Sequence, residues 1–131
     1  MAKLHRIESR AGSVLPRRGE IYLTKLDPTV GHEIQKTRPA LIVQNDVSNR
    51  NTPITIVAPI TSKVRSPLSL VHVLLEATAK SGLSVTSVAL FNHIRAVDHI
   101  RLIRRLGSVD DETMERVDEA IKISLGVTRL D

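Results

Sequence analysis

The stretch Gly31-His32-Glu33-Ile34-Gln35-Lys36-Thr37-Arg38-Pro39 crowds several kinds of reactive polar group into one short segment. His32 can accept or donate a proton near neutral pH. Glu33 can act as a base or orient a neighbour. Arg38 offers a planar fork that matches two phosphate oxygens. Pro39 lacks a backbone donor and favours extended backbone at Arg38, which sets the guanidinium at the mouth of a strand. Cutting RNA without a metal needs few parts. A base removes the 2′-hydroxyl proton, donors stabilise charge on the phosphoryl oxygens, and an acid protonates the departing 5′-oxygen. An arginine with one or two hydroxyls can hold the phosphate, and a histidine or carboxylate can move the protons. Arg38 is a poor proton carrier because a guanidinium pKa exceeds about 12. Taken singly, each residue has a plainer role: an Arg-Pro pair marks a strand boundary, His32 and Glu33 are solvated loop residues, and Thr61-Ser62 is a turn. Only the joint arrangement points to chemistry.

The elements that must hold these residues are mostly short strands. Residues 20–26 (EIYLTKL) alternate, with Ile21, Leu23 and the Lys25 stem on one face. Pro28 ends that run, and residues 27–37 form a polar loop containing Gly31. Residues 40–44 (ALIVQ) read as a buried strand opened by Arg38-Pro39. Residues 46–53 are polar and turn-like. Residues 54–60 (ITIVAPI) form a third strand, in which Pro59 marks an end or a bulge. Further strands are expected at 70–75, 84–91 and 94–97, while 98–106 fits either a short helix or a strand. Ser108 to Asp111 matches the S-x-x-D capping pattern. Met114, Val117, Ile121 and Leu125 then recur at helical spacing, acidic residues crowd the first turn, and Gly126 closes the helix. The expected fold is therefore α+β: a small, curled, barrel-like sheet with a C-terminal amphipathic helix.

Length and composition bound the rest. The 131 residues suit one domain, and 41% hydrophobic residues suffice for one modest core. Residues 1–16 read as a basic, poorly ordered arm, and residues 17–131 as the domain. No apolar run approaches the roughly 20 residues of a spanning helix. The charged N-terminus lacks a signal-peptide stretch, so a cytoplasmic location and no membrane association are expected. The absence of cysteine excludes thiolate catalysis and Cys-based metal sites. No two of the five histidines have the H-E-x-x-H spacing, and neither metal nor cofactor is expected. Residues 1–109 hold 16 Lys and Arg against 7 Asp and Glu, a net of +9, whereas residues 110–131 hold 3 against 7, a net of −4. A basic body suits an anionic partner such as nucleic acid or an acidic peptide.

The segment RRGEIYLTKLDPTVGHEIQKTRPALIVQND resembles the MazF/PemK (Kid-type) toxin endoribonuclease family of type II toxin–antitoxin systems. The carrying features are RGE opening a strand, then LDPTVGHE, then the Arg-Pro that begins the next strand. TPITIVAPITSK resembles the family's following strand with its Thr-Ser pair. SVALFNHIRAVD resembles a later strand and turn, and RLGSVDDETMERVDEAIKISLGV its C-terminal helix. The resemblance covers roughly residues 17–127. It implies an SH3-like barrel of the MazF/Kid/CcdB type, working as a homodimer with the substrate groove at the interface. It implies cleavage of single-stranded RNA without a metal, leaving a 2′,3′-cyclic phosphate and a 5′-hydroxyl. It also implies a cognate antitoxin, whose acidic, disordered tail would suit a basic groove. By the same resemblance Arg38 is the principal phosphate-stabilising arginine, Thr61 the active threonine and His32 a proton-moving histidine. Ser62 contacts the RNA backbone, Glu33 and Gln35 line the site, and Glu20 lies near the groove.

One departure concerns the later strand, where some members place an arginine and an aspartate two residues apart. Here these positions are Leu90 and Asn92, which can neither bind phosphate nor act as a general base. More of the acid–base work then falls on His32 or on water. Only Tyr22 and Phe91 are aromatic, so base reading would rest on hydrogen bonds and arginine stacking if both lie in the core. The alternative to a nuclease is a non-catalytic module on the same fold, either a topoisomerase poison of the CcdB type or an inactive RNA- or protein-binding homologue.

Overall fold

The computed structural model describes residues 15–33 and 36–130. Most of the expected N-terminal arm, residues 1–14, lies outside the described residues, as do Gln35 and its neighbour Ile34. Among the described residues the elements run β1 (Glu20–Lys25), β2 (Thr37–Ile42), α1 (Asp46–Asn51), β3 (Ile54–Thr61), β4 (His72–Leu75), β5 (Ser87–Leu90), β6 (Arg95–Asp98), β7 (Leu102–Ser108) and α2 (Asp111–Ser124). All strand pairings among the described residues are antiparallel, in the order β4-β5-β3-β2-β1-β7, with β6 also on β3. No helix among the described residues is long and apolar enough to cross a membrane.

Strand alternation builds two cores. Ile21, Leu41 and Ala58 face one side of the sheet, where they pack with Val73, Phe91, Val117 and Ala120 under α2. Their neighbours Tyr22, Ala40, Ile42 and Val57 face the other side and pack with Val97 and Leu102. Both β1 faces are thus occupied, and Lys25 is exposed at the strand end instead of lending its stem to the Ile21 face. Burial of both aromatics, Tyr22 and Phe91, follows from the same arrangement.

The long β3 organises the sheet. Its first half pairs with β6 (Ile54↔Asp98 to Val57↔Arg95), and its end pairs with β5 (Ile60↔Ala89, Thr61↔Val88). Pro59 does not end the strand. It falls where β3 passes from β6 to β5 and lies opposite Ala40 of β2, so the residue without an N–H sits at the change of partner. The barrel expected from the sequence is not closed by a ladder between β4 and β7. A turn bridges the gap instead: the Ser108 N–H donates to the Lys80 carbonyl at 2.8 Å, and Gly82 and Gly107 allow the two backbones to touch.

Three local expectations are corrected. Residues 46–51 form a helix, not a turn. Asn45 caps it by accepting from the Ser48 N–H, and the fully buried Asn49 ties it to Gln44 and Thr55. The segment 98–106 divides into a 3-10 turn (His99–Arg101), capped by Asp98, and the strand β7. The cap of α2 is Asp110, whose carboxylate accepts from the Thr113 N–H at 2.9 Å, and not Ser108, which ends β7. Val117 and Ala120 form the buried stripe of α2, while Leu125 is exposed beyond its last turn. Gly126 takes φ +76, the left-handed conformation expected at a helix end.

Candidate active site

The loop that carries His32 leaves β1 under tight control. The Leu26 N–H donates to the Lys36 carbonyl at 3.1 Å, closing the loop's neck, and the Asp27 carboxylate accepts from the Lys36 N–H at 3.1 Å. Two arginines from distant segments clasp the outgoing backbone. Arg95 Nη1 donates to the Leu26 carbonyl at 2.9 Å, and Arg101 Nη1 donates to the Lys25 carbonyl at 3.2 Å and to the Asp27 carbonyl. At the tip the Glu33 N–H bonds the Val30 carbonyl at 3.2 Å, with Gly31 at φ +58. His32 and Glu33 are exposed there.

Arg38 lies on β2, its backbone opposite Thr24 of β1. The β2–β3 register pairs Ala40 with Pro59; continued two residues, it sets Arg38 beside Thr61. Thr61 in turn pairs with Val88 of β5, and two residues on Leu90 pairs with His72 of β4. Positions paired directly, or two apart on one strand, share a face of the sheet. Arg38, Thr61, Leu90 and His72 therefore project from one surface.

On that surface lies an open cleft of about 480 Å³ that gathers His32, Arg38 and Thr61. These are the three residues expected to do the chemistry, and they come from a loop and two strands. The Thr61 hydroxyl accepts from the Lys63 N–H at 3.2 Å. The same cleft holds Lys63, Arg65, His72 and His93, none of which the sequence reading singled out. They are separated from Arg38 by 25 to 55 positions; Lys63 and Arg65 reach it on the segment after β3, and His72 and His93 through the β3–β5–β4 pairing. Their one advance signal was the excess of basic residues before position 110. Leu90 forms part of the cleft's apolar wall.

Two further depressions adjoin this cleft. His32 and His93 also border one that contains Glu33, Asn92 and Arg95. Arg38 also borders another, on its far side, with Ser62, Ser84, Ser87 and Arg104. Thr61, the last residue of β3, and Ser62 just beyond it are divided between the two clefts that meet at Arg38. Glu20 is not brought to this site. It lies at the opposite end of β1 from the Arg38 pairing, where its carboxylate accepts from Arg105 Nε at 2.6 Å and from the Arg17 N–H at 2.6 Å. Burial first, then the neighbouring Glu20 charge, pushes the Tyr22 hydroxyl up from its ordinary value of 10.0. Gln35, the remaining residue expected in the site, lies outside the described residues. Among the described residues no group of three or more His, Asp or Glu side chains is arranged to hold a metal ion.

An open antiparallel sheet under one long helix, with an arginine and a threonine at adjoining strand ends facing a basic cleft, defines a small α+β domain with a cleft suited to an anionic ligand. The chain belongs to the PemK-like, MazF-like toxins of type II toxin-antitoxin systems, whose family model matches residues 17–125. It is 40% identical over 114 residues to Endoribonuclease EndoA of Bacillus subtilis (strain 168), covering 87% of this chain and 97% of that protein. Its fold matches the crystal structure of MazF from Deinococcus radiodurans with a TM-score of 0.71 at 27% identity, over 86% of this chain and 98% of that one. A mycobacterial endoribonuclease solved with its cognate antitoxin matches with a TM-score of 0.72 over 88% and 99% of the two chains; at 24% identity that likeness speaks to the fold alone.

Proposed function

We propose that this toxin-family chain is a sequence-selective endoribonuclease that cleaves single-stranded RNA without a metal ion, acts as a homodimer and is held in check by a cognate antitoxin. The observation that carries the reading is the single cleft in which Arg38, Thr61 and His32 converge among further cations. The 40% identity to a protein named as an endoribonuclease supports the activity, and membership of a family of type II toxin-antitoxin toxins supports the restraint.

In this scheme the scissile phosphate sits between the Arg38 guanidinium and the Thr61 hydroxyl. The guanidinium bonds two phosphoryl oxygens, with contacts that strengthen as negative charge gathers in the transition state. The 2′-oxygen attacks phosphorus, the P–O5′ bond breaks, and the products are a 2′,3′-cyclic phosphate and a 5′-hydroxyl. Lys63 and Arg65 attract the strand through its charge, without reading bases. Base selection falls to Ser62 and Glu33 in the flanking depressions, and to Gln35. Glu20 acts at a distance from the cleft, by holding Arg105 and Tyr22. The antitoxin presents an acidic, flexible segment to the basic face and so denies it to RNA.

The test is incubation of the purified protein with a long single-stranded RNA in EDTA. Fragments bearing 2′,3′-cyclic phosphate and 5′-hydroxyl ends are expected. Intact RNA with binding retained would instead establish a non-catalytic module.

A further inference from the structure

The mechanism just proposed needs one group to take a proton and another to give one. The cleft that holds Arg38 contains no Asp or Glu among its described residues, but it contains three histidines. Leu90 and Asn92 stand where some members carry ionisable groups. The fold sets a histidine beside each of them. His72 pairs directly across the ladder from Leu90. His93 follows Asn92 in the 3-10 turn Phe91–His93 that caps β5.

The two histidines border different neighbours of the cleft. His72 is half-buried on β4, at the border with the apolar groove along α2 that also contains Glu115, Arg116 and Glu119. His93 is half-buried at the border with the depression that holds Glu33 and Arg95. Displacement at phosphorus is in-line, so the attacking 2′-oxygen and the departing 5′-oxygen lie on opposite faces of the phosphoryl group. Two imidazoles that line one cleft from separate elements, one on β4 and one on the turn after β5, can serve the two oxygens. His32 borders the same depression as His93 but is exposed on a loop tip, so its imidazole is less restrained than one set on a strand or on a turn packed under it.

We infer that His72 and His93 are the two proton-transfer residues of this site, one as general base and the other as general acid. This rests on the ribonuclease reading. One imidazole starts neutral and takes the 2′-hydroxyl proton as the O2′–P bond forms. The other starts protonated and gives its proton to O5′ as the P–O5′ bond breaks. The pair ends with its protonation exchanged and its total charge unchanged.

The experiment first maps a cut site on a long RNA in EDTA. Single-turnover rates are then measured on an oligonucleotide spanning that site, across the range in which imidazoles titrate. The wild type should give a bell-shaped profile, since one imidazole must be neutral and the other charged. His72→Gln and His93→Gln should each lower the rate by about 10²- to 10⁴-fold and remove one limb of the bell. Both should bind an uncleavable 2′-deoxy analogue within about threefold of the wild type, by comparison with the roughly tenfold change that 1.4 kcal/mol produces. A substrate with sulfur bridging at the 5′ position needs no acid, and should restore whichever variant lacks the acid while leaving the other slow. A wild-type profile without two limbs overturns the pair even if a variant fails to fold. So does either glutamine variant cutting at the wild-type rate, or the loss of a limb in His32→Gln in place of one of the two. A wild type that binds RNA in EDTA without cutting it refutes the ribonuclease reading itself, a result distinct from the others.

Discussion

Replacement of Arg38 isolates the phosphate clamp from the rest of the protein. Arg38 is half-buried on β2 and belongs to neither hydrophobic cluster, and its backbone pairing with Thr24 survives loss of the side chain. Arg38→Ala should therefore fold, with a melting temperature within a few degrees of the wild type, as expected for a change of roughly 0.5 kcal/mol away from the core. Catalysis should suffer far more. Losing one preorganised donor to developing oxyanion charge costs about 10²- to 10³-fold in kcat, or about 2.7–4 kcal/mol. Lys63 and Arg65 remain in the cleft to attract the ground-state phosphate. The loss should thus fall on kcat and kcat/KM together, with KM changed little, the pattern of a contact made chiefly in the transition state. Arg38→Lys keeps the charge but not the planar fork that meets two oxygens, and should recover only part of the loss. The assay is steady-state cleavage of a fluorogenic RNA, with thermal melting on the same samples. An Arg38→Ala protein that folds and turns over within threefold of the wild type would refute the clamp. A rise in KM alone would reduce Arg38 to a strand-binding residue.

Two further outcomes test the fold around the site. A Cβ at position 107 would lie 2.2 Å from the Lys80 carbonyl oxygen and 2.4 Å from the Ser81 carbonyl carbon and oxygen, all backbone atoms. Gly107→Ala should therefore cost about 3 kcal/mol, at the upper end of the usual overpacking range, whereas Gly31→Ala, with open space around it, should cost only the roughly 1 kcal/mol of its positive φ. Calorimetry checks the pair, and equal melting temperatures would remove the bridging role given to the 78–83 turn. Tyr22 is the only tyrosine, so phenolate absorbance reports it alone. Its ionisation should occur above 10.0, and Glu20→Gln should lower the midpoint without returning it to 10.0, because burial is the larger cause. Since the folded value is raised, the contribution of this hydroxyl to stability is intact below pH 10 and is lost as pH rises through the folded value; a midpoint at 10.0 would contradict the burial and the Glu20 contact.

Strands β1 and β3 were legible in the sequence, the first from the alternation over residues 20–26 and the second from its β-branched residues over 54–60. Helix α1 was not. Asp46–Asn51 has one apolar residue, Val47, and it is exposed, so no stripe exists to be read. This helix is held by a buried amide, and hydrogen bonding to Gln44 and Thr55 leaves no periodic trace. Asp110 displaced Ser108 as the cap of α2 because Ser108 was already engaged in the ladder with Glu20. In the site, Arg38 was legible because proline follows it, and His32 because its loop is dense in polar groups. Thr61 became legible only through family likeness, and its nearness to Arg38 is a consequence of register.

The histidines show most clearly what local reading cannot reach. His72 sits in LVHVLL, where an isolated histidine among apolar residues looks like a tolerated strand residue, and His93 sits in an unremarkable turn. Their significance depends on two pairings, β3 with β5 and β5 with β4, that carry the Arg38 face two strands further across the sheet. The same pairings explain why Leu90 and Asn92 need not signal a lost activity. A site built on one face of a sheet draws on every strand that reaches that face, so a proton-transfer group absent from one position can be supplied from the residue opposite or the residue next along. What such a site cannot shift is the clamp. Arg38 and Thr61 are set by adjoining strand ends, and no other arginine among the described residues shares the Thr61 cleft except Arg65, which lies on the irregular segment after β3 rather than on a strand. In the proposed site, then, the proton-transfer groups are open to rearrangement, whereas the phosphate clamp depends on the β2–β3 register.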